Sequence, residues 1–600
     1  MTNQSKQNID VDESQISETM ADIAERSQRL VQEFLNKQAQ PGSKSVGMED
    51  PLNIGSAFLE MTTKMMTQPH KMVEANMNLW QDYMKLWQNT ASRMMGQDTS
   101  PIVEPARDDR RFKNEAWEND VFDFIKQSYL LTSNWMENTV SDVEGLDKKT
   151  KQKVEFFTKQ YADALSPTNF VMTNPEVLQT TIESRGENLV NGLRNLLEDL
   201  ERGDGKLAIK MTDTDAFEVG KNVATTPGKV VFRNDLMELI QYTPTTEKVS
   251  KTPLLICPPW INKFYILDLR EKNSFIKWAV EQGNTVFVIS WVNPDRKLAM
   301  KTFEDYMLEG PLAAIDAIKQ ATGEAEVNAV GYCIGGTLLA TTLAYMAAKK
   351  MKGVKSATFF TTMVDFEEAG DLGVFIDDTS LQNLEDKMNE RGFLEGSEMA
   401  NTFNMMKAND LVWSFVVNNY LLGKDPFPFD LLFWNSDSTR MPAAMHSFYL
   451  RNMYLDNKLV EPGGIEIDGV KLDLRKIKVP TYIISTREDH IAPWKPTYKA
   501  TQLYSGEIRF ILSASGHIAG VVNPPAAGKY CYWVNDDIPA DPDKWLAGAE
   551  QHDGSWWPDW DKWVKQHSPK ELVDARQPGD GKLKPLCDAP GTYVTMKAEG

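Results

Sequence analysis

Cysteine is scarce in this 600-residue sequence, with only Cys257, Cys333, Cys531 and Cys587. Four thiols so widely scattered make neither a disulfide framework nor a CxxC metal site, and they fit a reducing compartment. Histidine is nearly as scarce, at six, and no two His or Cys stand at a ligand-like spacing, which argues against zinc. No run of about 18 apolar residues occurs. The N-terminal MTNQSKQNIDVDESQISETM is polar and acidic, so neither a transmembrane segment nor a secretory signal is expected. No GxGxxG or Walker loop follows a strand pattern, so no nucleotide cofactor is expected either. Positive charge is in deficit, with 65 Lys and Arg against 85 Asp and Glu for a net −20. Such a surface repels phosphate backbones and argues against nucleic acid as a partner. A cytoplasmic protein fits these absences.

What is present is enough apolar residue, 42% with 16 Trp, for more than one hydrophobic core over this length. Residues 1–50 are rich in Gln, Ser, Asp and Glu without sustained periodicity and read as disordered or weakly helical. Residues 1–100 together form a variable extension. Within it, MNLWQDYMKLWQNT puts Trp80, Tyr83, Met84 and Trp87 on one helical face, either packed on its own domain or offered to a partner or hydrophobic particle. The Pro- and charge-rich SPIVEPARDDRRF marks a linker near residue 100. A helical domain then runs over 101–215, through WENDVFDFIKQSYLLTSNWMENTV and NPEVLQTTIESRGENLVNGLRNLLEDLERG.

From 216 to 600 the rhythm becomes strands alternating with helices, the pattern of a mostly parallel sheet covered on both faces. KVVFRN and LMELIQY read as an opening antiparallel pair, followed by PLLIC, NTVFVISW, VNAVGY, SATFFTTMV, PTYIIST and IRFILS as strands. Between about 366 and 450 the alternation lapses into an aromatic-rich helical insertion, placed to cap the mouth of the sheet.

Gly331-Tyr332-Cys333-Ile334-Gly335 has the G-x-nucleophile-x-G spacing of a nucleophile elbow, with sulfur where most α/β-hydrolases carry a serine oxygen. Small residues are required there because the nucleophile sits in a strained strand-to-helix turn. The helix that follows supplies N–H groups for an oxyanion, that of Ile334 first. The acid and base should follow in that order. Asp489 ends the strand PTYIISTRED and is preferred to its neighbour Glu488, and His517 follows IRFILSASG. Of the remaining histidines, His70 lies in the N-terminal helical region, His446 ends the cap, His490 adjoins the acid, and His552 and His567 lie in a Trp-rich tail. Each reads as a surface or packing residue. Cys257 reads as a buried strand residue. A second oxyanion donor belongs to CPPWINKFYILD, at a residue such as Trp260 or Ile261, since its prolines have no N–H.

DRRFKNEAW, PPWINKFYILDL, GYCIGG, WNSDSTRMP, REDHIAPW, SGHIAG and GSWWPDWDKW, long and in order, make the chain resemble the polyhydroxyalkanoate synthases from about residue 100 onward. Its length and single-chain layout resemble class I of that family. The resemblance implies an α/β-hydrolase fold with a helical cap, preceded by a helical domain. It implies polymerisation of (R)-3-hydroxyacyl-CoA, short-chain by preference, with release of coenzyme A at the surface of cytoplasmic storage granules. It puts the nucleophile on Cys333, the acid on Asp489 and the histidine on His517. It also implies a homodimer in contact with the growing polyester and with granule-coating proteins. No cofactor is implied, because coenzyme A arrives on the substrate. The rival readings are a cysteine-type hydrolase or intracellular polyester depolymerase of the same fold, and a granule-surface scaffold with a vestigial elbow.

Overall fold

The computed structural model describes Arg29, Asp50 and residues 52–107 and 109–597, so nearly all of the first fifty residues, read above as disordered or weakly helical, lie outside it. The described chain falls into two compact units. One contains the chain up to Asp213 together with Phe403–Phe427; the other contains Thr214–Thr402 and Pro428–Gly600.

The first unit is helical: α1 (Ile54–Met66), α2 (Pro69–Met94), α3 (Asp120–Ser141), α4 (Lys148–Ala164), α5 (Pro175–Glu183) and α6 (Glu187–Arg202). Asn119, Asp147 and Asn174 start α3, α4 and α5 by accepting first-turn N–H groups, which otherwise have no partner inside the helix. The long pattern NPEVLQTTIESRGENLVNGLRNLLEDLERG breaks into two helices at Arg185 and Gly186, both at positive φ, where the chain needs a left-handed turn that glycine allows. The helix α2 lies on α3 through the Tyr83 hydroxyl, 2.8 Å from Thr132 Oγ1, and through Arg93, 2.6 Å from Asp123.

The second unit is built on an eleven-stranded sheet. Its strands are β1 (Gly228–Arg233), β2 (Met237–Tyr242), β3 (Leu254–Cys257), β4 (Val286–Trp291), β5 (Val327–Tyr332), β6 (Val354–Phe360), β7 (Thr481–Thr486), β8 (Ile508–Ser513), β9 (Cys531–Val534), β10 (Glu550–Asp553) and β11 (Cys587–Asp588). The order across the sheet is β10-β9-β8-β7-β6-β5-β3-β4-β2-β1-β11. Strands β4, β3, β5, β6, β7 and β8 pair in parallel, and the remaining pairings are antiparallel. The expected opening pair is β1 and β2. Strands β9, β10 and β11 escaped the pattern because they are short and outlying, with partly or fully exposed residues, so no buried face imposes a period of two. Neighbouring residues of the central strands fall alternately into two apolar clusters, Leu255 and Phe287 in one, Leu254 and Val286 in the other, as a sheet covered on both faces requires. This is an α/β-hydrolase fold.

The insertion after β6 is divided. Residues 403–427, containing Trp413 and Phe415, cluster with the helical unit, whereas Phe433 and Trp434 pack in the catalytic unit. Two stretches of the first part, Asn409–Trp413 and Val416–Leu421, are π-helical, and the last carbonyls of the second lie at a helix end, where no donor of the helix itself is left for them. Asn188 and Asn195 of α6 donate to the carbonyls of Leu421 (2.7 Å) and Asn419 (3.1 Å). Between them a Cβ on Gly192 would sit 1.8 Å from the Tyr420 carbonyl oxygen. Residues 366–450 read as a single cap; the polar, glycine-notched face of α6 shows why part of it belongs elsewhere.

Candidate active site

Cys333 stands between β5 and α7 (Ile334–Ala348) at φ 51°, ψ −125°, a conformation that a non-glycine residue holds only when its surroundings dictate it. The surroundings are close backbone. A Cβ on Gly331 would come within 2.5 Å of Gly336 Cα, and one on Gly335 within 2.4 Å of the Cys257 carbonyl oxygen. The α7 helix is apolar all round and buried from Ile334 to Met346. Its hydroxyls find partners inside, Thr337 on the Met363 carbonyl (2.7 Å) and Thr341 on that of Thr337 (2.8 Å). The nucleophile candidate thus rides on one of the most constrained parts of the molecule. The Ile334 N–H heads this helix without an acceptor among the described residues, ready for an oxyanion.

Asp489 and His517 follow β7 and β8, so all three predicted residues meet at the carboxyl ends of parallel strands, where open α/β sheets bind ligands. His517 Nδ1 is 2.7 Å from Asp489 Oδ2. The other carboxylate oxygen, Oδ1, accepts the N–H groups of Ile491 and Ala492, each at 2.9 Å. Asp489 is therefore fixed before it orients the ring, whereas Glu488 is exposed. Burial would push the His517 imidazole down, but the Asp489 carboxylate and the Cys333 sulfur outweigh it through charge and hydrogen bonding, raising His517 to about 10. Tyr332 supports the ring from behind, stacked at 5.8 Å and donating its hydroxyl to the His517 carbonyl at 3.1 Å.

Two residues at this site escaped the sequence reading. Tyr449 ends α8 (Ala443–Tyr449), and Tyr454 follows five residues later. Burial raises both phenols, so both remain neutral hydroxyls close to the Cys333 sulfur. SFYLRNMYLDN offers only apolar helical phase, and no sequence signal separates these tyrosines from core residues.

The loop after β3 is held by the Thr439 hydroxyl on the Trp260 carbonyl (2.7 Å) and by a bridge between Asn262 and Ser438. Lys263 is buried in an ion pair with Asp437, at 2.7 Å. Cys257 is fully buried. The Trp-rich tail is core: Trp557 and Trp560 of α9 (Trp557–Gln566) pack on Phe275, each at 5.1 Å. His567 bonds the Trp563 carbonyl at the end of that helix, His552 stacks on Tyr532 at 5.3 Å, and His446 is buried.

A family model described as Poly-beta-hydroxybutyrate polymerase (PhaC) N-terminus matches residues 108–279, and one for the alpha/beta hydrolase fold matches residues 253–524. The chain is 52% identical to the poly(3-hydroxyalkanoate) polymerase of Methylorubrum extorquens over 93% of this chain and 92% of that protein. It is 48% identical to the poly(3-hydroxyalkanoate) polymerase subunit PhaC of Rhizobium meliloti, over 98% and 96% of the two chains. With the subunit PhaC of Cupriavidus necator the identity is 44%, over 88% and 89%.

Proposed function

The chain belongs to the poly(3-hydroxyalkanoate) polymerases, and from that premise we propose that it polymerises (R)-3-hydroxyacyl-CoA, preferring short acyl chains, through a thioester on Cys333. The observation that carries the residue assignment is the strained, glycine-packed Cys333 turn facing a histidine that is itself held by a buried carboxylate.

His517 takes the proton of Cys333, and the thiolate attacks the substrate thioester carbonyl. The oxyanion that forms is held by the Ile334 N–H and by a donor in the Trp260–Ile261 loop. Collapse breaks the carbon–sulfur bond to coenzyme A, which leaves as the thiol with the proton from His517. The acyl group now sits on Cys333 as a thioester, so the exchange is nearly isoenergetic and the acylating power is kept. A serine would form the more stable oxygen ester and lose that driving force.

In the second half the 3-hydroxyl of another acyl unit attacks this thioester. A carbon–oxygen bond forms, the carbon–sulfur bond to Cys333 breaks, and the hydroxyl proton passes to His517, directly or with Asp489 as its partner. Once coenzyme A has left with the proton from His517, the ring is free to act as base. Water must be kept out at this stage. The aromatics Phe433 and Trp434, packed in the catalytic unit, serve that end by burying apolar surface there, and Tyr449 and Tyr454 position the incoming hydroxyl. The enzyme works as a cytoplasmic homodimer at the surface of polyester granules, among granule-coating proteins.

The test uses 3-hydroxybutyryl-CoA with Cys333→Ala and Cys333→Ser, following coenzyme A release and turbidity. The Ala variant is expected to lose both by at least about 10³-fold. Coenzyme A release undiminished in the Ala variant would falsify the assignment, and wild-type release yielding free 3-hydroxy acid without polymer would make the chain a hydrolase.

A further inference from the structure

Residues 258–263, between β3 and the 3-10 helix Phe264–Asp268, form neither helix nor strand beyond the single bridge at Asn262. Pro258 and Pro259 open this loop and supply no N–H, so its shape depends on a second segment, Trp434–Thr439. Trp434 Nε1 donates to the Lys263 carbonyl at 2.8 Å, Ser438 bridges to Asn262, and the Thr439 hydroxyl donates to the Trp260 carbonyl at 2.7 Å. The Lys263 side chain closes the row. Its Nζ lies 2.7 Å from Asp437 Oδ1 and donates to the Met596 carbonyl at 2.9 Å. Asp437 is fixed in turn, its other oxygen accepting the Tyr265 hydroxyl at 2.9 Å. One buried ammonium thus ties together three stretches far apart in sequence, beside Trp260 and Ile261.

We propose that Lys263, paired with Asp437, is a positioning residue for the polymerisation, holding the backbone N–H groups of the Trp260–Ile261 loop where the thioester oxyanion develops. The inference rests on the reading above and adds to it a residue that acts through the loop rather than by contact with substrate. Stability alone gives little reason for a charge here. Apolar side chains of similar volume often serve as well as a buried ion pair, and burial pushes the Lys263 ammonium below its ordinary value despite the nearby Asp437 carboxylate. What the pair supplies is direction, because an ammonium with two fixed acceptors holds a loop in one register. The requirement falls on the transition state. An oxyanion exists only after attack on the carbonyl, so a misplaced loop lowers kcat and leaves KM as it was. Alkylation of Cys333 by iodoacetamide separates this effect from damage to the elbow. It displaces iodide from a saturated carbon and forms no oxyanion, so it needs the thiolate but not the loop.

The test uses the full chain with the Lys263→Met/Asp437→Asn double variant, which removes the ammonium without leaving a buried carboxylate unpaired. Coenzyme A release from 3-hydroxybutyryl-CoA and the rate of Cys333 alkylation are measured side by side, with Cys333→Ala as control. The expected result is a kcat lower by about 10²-fold, the loss that a displacement of about 1 Å brings, with KM and the alkylation rate within about twofold of wild type. Thr439→Val removes only the hydroxyl on the Trp260 carbonyl, and is expected to lower kcat by about 10-fold with the same two quantities unchanged. It decides the matter alone if the double variant does not fold. A kcat equal to that of wild type would overturn the inference. Alkylation that slows in parallel with kcat would overturn it too, since the elbow rather than the loop would then be disturbed. A raised KM with kcat kept would overturn it in favour of a substrate-binding role. In each of these cases an inert Cys333→Ala leaves the thioester reading standing, whereas coenzyme A release by Cys333→Ala would remove that reading itself.

Discussion

The elbow and the cap are both rich in apolar side chains, yet they are built to opposite ends. Around Cys333 every neighbour is fixed: β5 is wholly buried, α7 is buried around its circumference, and two glycines leave no room for a methyl group. The cap is a chain of short helical pieces, π-helical at Asn409–Trp413, Val416–Leu421 and Leu450–Leu455, and its middle belongs to the helical unit. Two buried histidines show the difference in one residue type. His517 is paired and raised to about 10, whereas His446 in α8 has no partner on either ring nitrogen among the described residues and is pushed down to about 4 by burial. The same side chain thus serves as one half of a buried pair beside the elbow and as an apolar-like filler in the insertion.

The most severe way to break the contrast is Asp489→Asn. The amide keeps the shape but offers a donor where His517 Nδ1 needs an acceptor, which disfavours the tautomer that can accept the thiol proton. Turnover of 3-hydroxybutyryl-CoA is expected to fall by about 10³–10⁴-fold. The pH profile of Cys333 alkylation by iodoacetamide should change as well, as it should in His517→Ala. Retained turnover in Asp489→Asn would show that the short contact to His517 is structural only.

Glycine pairs the two regions directly. Gly335→Ala in the elbow places a methyl group 2.4 Å from one carbonyl oxygen and 2.5 Å from another, both backbone atoms that cannot rotate away. Strain of this kind is expected to cost about 3 kcal/mol or more and to abolish turnover. Gly373→Ala in the cap meets nothing within 4 Å, so its effect should stay within about 0.5 kcal/mol. Denaturant unfolding of the two variants beside wild type reads both numbers. Equal effects would mean that the elbow relaxes as freely as the cap.

The same contrast decided what the sequence could reveal. The places of Cys333, Asp489 and His517 were legible because each sits where a strand runs out, and a strand buried on both faces writes itself as an unbroken apolar run: VNAVGY, PTYIIST, IRFILS. The glycines two residues to either side of Cys333 marked the turn itself, since both are packed against backbone. The cap's partition was not legible, because it depends on amides of α6 meeting carbonyls more than two hundred residues away, and neither partner carries a local signature. Tyr449 and Tyr454 were hidden for a related reason, as their neighbours supply apolar phase whether or not a sulfur lies beyond. The MNLWQDYMKLWQNT face was only partly right. Trp80, Met84 and Trp87 are exposed, but Tyr83 turns inward to α3.

The last prediction concerns the two histidines as titrating groups, and their signs are opposite. His517 is raised, so its contribution to stability is fully present below its ordinary value of 6.5 and fades as pH climbs to about 10. His446 is lowered, so between 6.5 and about 4 the unfolded chain takes up a proton that the folded chain refuses, and stability falls as pH falls through that window. By pH 5 the loss from His446 alone comes to about 2 kcal/mol. His446→Leu removes both the titration and the two unpaired nitrogens, and fills much of the same volume. The variant is expected to match or exceed wild type in stability at pH 8, and its advantage should widen by about 2 kcal/mol between pH 8 and pH 5, measured as urea midpoints in the full chain. An advantage that stays constant with pH would mean that His446 finds a partner in solution. The unmatched polar group, and with it the looser economy of the cap, would then disappear from the comparison.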